Sequence, residues 1–230
     1  MALSPGDATP IPSGDMVSLV SGPQRTFHVH ANLLIYYSKF FTIEFLDQSE
    51  EASSLTFNLE GLADNISMTT YTDWIYARNH LGRTPNIFGA RTLEQLMKSW
   101  LLGSLLLTPH FQNDVMEEMY VRSQMELPQN MEFLRFVVRS VNDSSTAHPV
   151  MDMFFVGLIA YFFYFYFCNE FDGDDCREIL GELNARNIYK VVMCIANRFT
   201  TIRENGNQGD YYYYYHKIIG PIEDFMLEEY

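Results

Sequence analysis

Two histidines, His28 and His30, stand one residue apart in "RTFHVHANLL", a spacing that puts both imidazoles on one face of an extended strand. Such a pair could ligate a metal or share a proton. Zinc would need two further ligands, and Cys168, Cys176 and Cys194 lie far downstream without metal spacing. A structural role for the histidines is therefore expected, and no cofactor or metal. The run Asp172-Gly173-Asp174-Asp175 has the acids of a calcium loop, but its glycine is misplaced and the glutamate at the twelfth position is missing. It reads as a charged loop leading into a helix, with Asp175 as N-cap and Glu178 closing a capping box. No Gly-x-Ser-x-Gly, phosphate loop, His-Glu-x-x-His or Gly-x-Gly-x-x-Gly occurs. The residues propose no catalytic site, and a non-enzymatic protein is expected.

Composition narrows the class further. The 230 residues are 47% hydrophobic and 15% aromatic, enough apolar material for a sizeable core. Twenty-nine acids against 15 Lys and Arg give a net charge of −14. Up to residue 125 there are 13 acids and 7 bases, and beyond it 16 and 8, so neither part offers the clustered cations that phosphate binding needs. Nucleic-acid binding is not expected. Three cysteines without a Cys-x-x-Cys pair, and a start "MALSPGDATPIPSGD" lacking a basic and an apolar region, suit cytoplasm or nucleus. "VMDMFFVGLIAYFFYFYFC", residues 150–168, has the length of a membrane span, but Asp152, Gly157 and three tyrosines interrupt it. A buried core helix is the expected reading, with a membrane-associated protein as the alternative from another class.

The elements that would position these residues follow from periodicity. Residues 1–13 form a Pro- and Gly-rich lead. "MVSLV" and "RTFHV" alternate around the turn "SGPQ" as a β-hairpin, and "ANLLIYYS" and "KFFTIEFL" read as two short helices. "SLTFNL" (54–59) is a third strand. Asp64 caps a helix with Ile66, Tyr71, Trp74 and Ile75 near one face. Thr92 caps the next, which keeps Leu93, Leu96, Met97 and Trp100 in helical register, and Thr108-Pro109 opens a third. Beyond a boundary near 126, helices are expected at about 130–140, 149–168, 175–184 and 186–200. Met116, Met119, Met125 and Met131 are expected in the core. The run Tyr211 to Tyr215 would close the tail onto the domain, or else form a contact surface.

The order hairpin, paired helices, strand, helix, paired helices carries specific residues. "DMVSLVSGPQRTFHVHANLLIYYSKFF" resembles the opening of a BTB/POZ domain: Asp15 before the first strand, Phe27 and His30 closing the second, Leu33 and Leu34 in a helix, then Ser38, Phe40 and Phe41. Ile75 and Tyr76 match the aliphatic-Tyr pair of a later helix. "LEQLMKSWLLGSLLLTPHFQNDVMEEM" is similar to the helical hairpin of fungal BTB-domain proteins. The resemblance covers residues 14–125. It implies an α+β fold, a BTB/POZ-like small sheet covered by helices, followed by an all-helical extension over 126–230.

It also implies a protein–protein interaction module. The most specific form is a substrate adaptor for a cullin-type ubiquitin ligase, and the alternative is a self-associating scaffold or transcriptional co-regulator. The expected docking surface joins the second helix, the 42–52 segment and residues 92–122. Phe45, Leu46 and Asp47 occupy the place of the family's hydrophobic-x-Glu cullin contact, with Asp for Glu. Phe45 and Leu46 are the candidate anchors. The Pro- and Gly-rich lead cannot supply the helix through which many family members dimerise.

Overall fold

The computed structural model describes residues 14–22, 25–47, 56–61, 63–81, 87–126, 131–143, 148–168, 173–204, 219 and 221–228, the side chains of 47, 80–81, 126, 164–168, 173–176 and 198–204 aside. Among them the protein is mixed α+β and mostly helical, with one small sheet. The order is β1 (Met16–Val20), β2 (Thr26–His30), α1 (Ala31–Tyr37), α2 (Lys39–Asp47), β3 (Thr56–Asn58), α3 (Asn65–Leu81), α4 (Leu93–Leu105), α5 (Pro109–Glu126), α6 (Met131–Asn142), α7 (Pro149–Cys168), α8 (Gly173–Glu182), α9 (Ala185–Glu204) and a 3-10 turn at Ile222–Phe225. The lead 1–13, residues 54–55 of the third strand and Tyr211 to Tyr215 lie outside the described residues.

Two compact units divide the chain within α5: residues 1–119 with 226–230, and residues 120–225. In the first, the strands lie in the order β2-β1-β3. β1 pairs antiparallel with β2, Met16 opposite His30 and Val20 opposite Thr26, and parallel with β3, Leu19 opposite Phe57. Val17, Leu19 and Val29 point into the core, as the alternation predicts. The parallel pair requires a crossover, which α1 and α2 supply.

The caps at Asp64 and Thr92 follow the sequence signals. Asp64 Oδ1 accepts from the Ser67 N–H at 2.7 Å. Thr92 and Gln95 make a complete capping box, each side chain on the other's backbone N–H. α5 starts at Pro109, while the Thr108 hydroxyl donates back to the Gly103 carbonyl at 3.1 Å. Gly103 marks a close approach. A Cβ there would stand 2.7 Å from Gln112 Cγ and 3.0 Å from Phe111 Cδ1. The amide of Asn113 grips the backbone of Leu227, accepting from its N–H at 2.7 Å and donating to its carbonyl at 2.9 Å.

Two expected core residues are outside it. Ile66 is exposed, because it lies about 140° around α3 from Tyr71; Met68, Tyr71, Trp74 and Ile75 make the buried face. Met116 and Met119 are fully buried and Met131 half-buried, but Met125, half a turn away from Met116 around α5, is exposed.

In the second unit, α7 is buried from Phe154 to Phe163. Tyr120, Phe154 and Phe225 form an aromatic cluster, Phe154 edge-on to Phe225 at 5.2 Å. Gly157 lets the backbone of Ile219 approach, since a Cβ would stand 3.3 Å from its Cα. Asp152, the one acid of the apolar stretch, is held by Lys190 Nζ at 2.6 Å. Among the described residues no helix is long and apolar enough to cross a membrane.

The helix expected to open at Asp175 starts elsewhere. α8 begins two residues earlier, at Gly173, which puts Asp175 inside its first turn, and Glu178 is taken by a forked ion pair with Arg135. Asn142, Asn184 and Asn187 then tie the end of α6 to the α8–α9 junction. The Asn187 amide donates to the Val141 carbonyl and to Asn142 Oδ1, and Asn142 donates to the Glu182 carbonyl.

Candidate partner-docking surface

The histidine pair is resolved into two separate roles. His30 closes β2 and precedes α1. The Tyr76 hydroxyl lies 2.8 Å from its Nδ1 and accepts from its backbone N–H at 3.2 Å. Strand end, helix start and α3 are joined at one hydroxyl. Asp15 contributes through its backbone, its carbonyl accepting from the Ala31 N–H at 2.9 Å. His28 instead stands 3.2 Å from the Ser18 hydroxyl on the exposed face. Phe27 is half-buried, with the Arg25 guanidinium over its ring. Among the described residues no group of three or more His, Cys, Asp or Glu could hold a metal ion.

Leu33 and Leu34 anchor α1 in the core. The chain then breaks at Ser38, whose hydroxyl accepts from the Phe41 N–H and donates to the Leu106 carbonyl at 2.6 Å. That one side chain caps α2 and fastens it to the α4–α5 turn. A second clasp runs from the Lys39 N–H to the Leu107 carbonyl. The inner face of α2 is aromatic: Phe40, Phe41 and Phe45 all meet Phe57 of β3, at 6.4, 5.1 and 5.9 Å between ring centroids.

This geometry separates the three candidate docking residues. Phe45 is half-buried against Phe57 and belongs to the scaffold. Leu46 is 81% exposed on the opposite side of the helix, and the side chain of Asp47 lies outside the described residues. Lys39, Ile43 and Leu46 follow at i, i+4 and i+7 along the solvent face. Ile43 is 46% exposed. At the Lys39 end, the clasp to Leu107 brings in the α4–α5 turn, where Leu107 is 44% exposed with φ +51° and Leu105 is exposed as well. A leucine in the left-handed region is uncommon and costs conformational energy. Here it is the price of showing an apolar side chain to water while its carbonyl holds α2.

Ile43, Leu105 and Leu107 fall within the segments expected to dock partners, but sequence reasoning did not single them out. The spacing of Ile43 from Leu46 was available. The left-handed turn was not, since "LLLTP" looks like the buried end of a helix.

No family model, curated protein or solved structure matches the chain.

Proposed function

We propose that the chain is a non-enzymatic protein-interaction module of the BTB/POZ type, working in the cytoplasm or nucleus. It docks partners on the outer face of α2, with a cullin N-terminal domain as the first partner. The observation that carries the reading is Leu46, a leucine 81% exposed on a helix whose other side is locked by three aromatic contacts and two backbone clasps. A protruding apolar side chain on a helix already fastened to the domain suits an interface anchor, since the helix need not be ordered on binding. The order β1-β2-α1-α2-β3-α3-α4-α5 and the contact between His30 and Tyr76 support the BTB-type architecture. The net charge of −14 favours encounter with a basic partner surface.

Leu46→Arg is expected to leave the thermal midpoint unchanged, because exposed substitutions move stability by about 0.5 kcal/mol or less. It is expected to weaken binding to a purified cullin N-terminal domain by about tenfold or more, as truncating or charging an anchor does. Calorimetric titration reads both proteins. Absence of binding by the unsubstituted chain at micromolar concentration would sink the cullin assignment.

A further inference from the structure

In the second unit, the segment that ends at Phe225 is held as a bound peptide is held. Ile222 and Phe225 stand three apart in a 3-10 turn, the period of that turn, and Ile219 lies three residues before them. Ile219 and Phe225 are buried and Ile222 is half-buried, while Pro221, Glu223 and Asp224 are exposed. Apolar anchors at a helical spacing, with the polar side chains between them in water, are how a short helical ligand lies in a groove. The turn also carries its own shape, since the Asp224 N–H donates to the Pro221 carbonyl at 3.1 Å.

The groove is fitted to these anchors. The Phe225 ring lies 6.2 Å from that of Tyr120 on α5 and 5.2 Å from that of Phe154 on α7, centroid to centroid. One turn further along α7, Gly157 admits the Ile219 backbone, where a Cβ would stand 3.3 Å from its Cα and 3.6 Å from its carbonyl oxygen. Glycine is among the poorest residues for a helix interior. α7 therefore gives up helix stability at the place where this backbone lies on it.

We propose that residues 219–225 are an internal ligand, covering a groove of α5 and α7 that takes a partner's segment of the same build. That segment has apolar residues three apart, the last of them aromatic, in a 3-10 turn. The covered groove is the resting state, and the partner's segment displaces the chain's own. Nothing in this site depends on the α2 surface. A ligand on the same chain competes at an effective concentration on the order of millimolar, so a free peptide is kept out until the resident anchor is weakened.

The test uses the full chain, its Phe225→Ala variant and a labelled peptide copying residues 219–228. Phe225→Ala is expected to keep the helix content of the parent and to bind the peptide saturably in fluorescence anisotropy. The parent should bind it about tenfold or more weaker, and a peptide with alanine at the Phe225 position should not bind the variant. Adding Gly157→Ala to the variant crowds Ile219 and should weaken the peptide about threefold or more, while the helix is favoured. Unfolding of the second unit in Phe225→Ala would make the segment part of the core and overturn the proposal. No saturable binding, equal binding by parent and variant, or indifference to Gly157→Ala would overturn it as well. So would a dimer in sedimentation that Phe225→Ala abolishes, which would give the groove to the segment of a second copy.

Discussion

Trp74→Ala is expected to lower the stability of the first unit by about 3–5 kcal/mol, the range for emptying a core site of this size. The ring is fully buried and touches Tyr37 at 5.1 Å, Phe111 at 5.2 Å and Tyr71 at 6.3 Å between centroids, so three helices, α1, α3 and α5, meet on it. Its Nε1–H donates to Asp114 Oδ2 at 2.7 Å, and the Arg78 guanidinium reaches the same oxygen at 2.6 Å while lying over the indole. Alanine removes the ring and one of the two donors that hold that carboxylate. Domains of this size have about 5–15 kcal/mol in total, so the loss would leave the unit near its unfolding threshold at 25 °C. Trp74→Phe keeps most of the apolar area and loses mainly the hydrogen bond, a cost of about 1–2 kcal/mol. Urea denaturation followed by Trp100, the other of the two tryptophans, reads both variants. A shift under about 1 kcal/mol for the alanine variant would show that the neighbours close over the site.

The contrast between Trp74 and Leu46 explains what the sequence could reveal. Strands, caps and helix order are local: alternation placed β1 and β2, and Thr92 with Gln95 and Asp64 marked helix starts through bonds made within three residues. The family resemblance pointed to Ser38, His30 and Tyr76, yet their partners lie far along the chain. Ser38 bonds Leu106, 68 residues away, and His30 bonds Tyr76, 46 away. Composition and period do not encode such pairings. Which side of a helix faces water is likewise settled by the neighbour, and so Phe45 and Leu46, adjacent and both apolar, have opposite fates once Phe57 is in place. Glu178, read from the sequence as the acid of a local capping box, makes a forked ion pair with Arg135, 43 residues distant.

Two exposed apolar stripes, on α2 and on α9, share a physical logic. In α2, Ser38 and the phenylalanines on Phe57 fix one side of the helix and leave Ile43 and Leu46 outside. In α9, Asn187 and Lys190 fix one side and leave Tyr189 and Val192 outside. Bonds that hold a helix against rotation keep its apolar stripe in water, where an ordinary surface helix would turn to bury it. Such a stripe is maintained at the expense of burial, free energy that a docking partner would recover if it covered the stripe.

Tyr71→Phe is expected to stabilise the first unit, and increasingly so in alkali. The Tyr71 side chain is fully buried against Trp74 and Phe111, and its hydroxyl has no hydrogen-bond partner of good geometry. An unpaired buried hydroxyl costs about 1–3 kcal/mol, so removing one oxygen from an otherwise unchanged ring should be neutral or favourable at pH 7. Burial also drives the phenol's pKa far above its ordinary value of 10, with the neighbouring Ser38 hydroxyl working weakly against it. Below pH 10 the phenol is neutral in both states and the native state has its full stability. Above pH 10 the unfolded chain releases the proton and the folded chain does not. Stability therefore falls as pH rises, by about 1.4 kcal/mol per unit for this one group. Phenylalanine cannot titrate, so the gap between variant and parent should be constant from pH 7 to 9 and widen by about 1 kcal/mol from 10 to 11, approaching that slope only above it. Tyr37, pushed up to about 12 mainly by burial, adds the same alkaline loss to both proteins and cancels in the comparison. Urea midpoints by tryptophan fluorescence at pH 7, 9, 10 and 11 give the slopes, and parallel curves across that range would mean that the hydroxyl is reached by water in the native state.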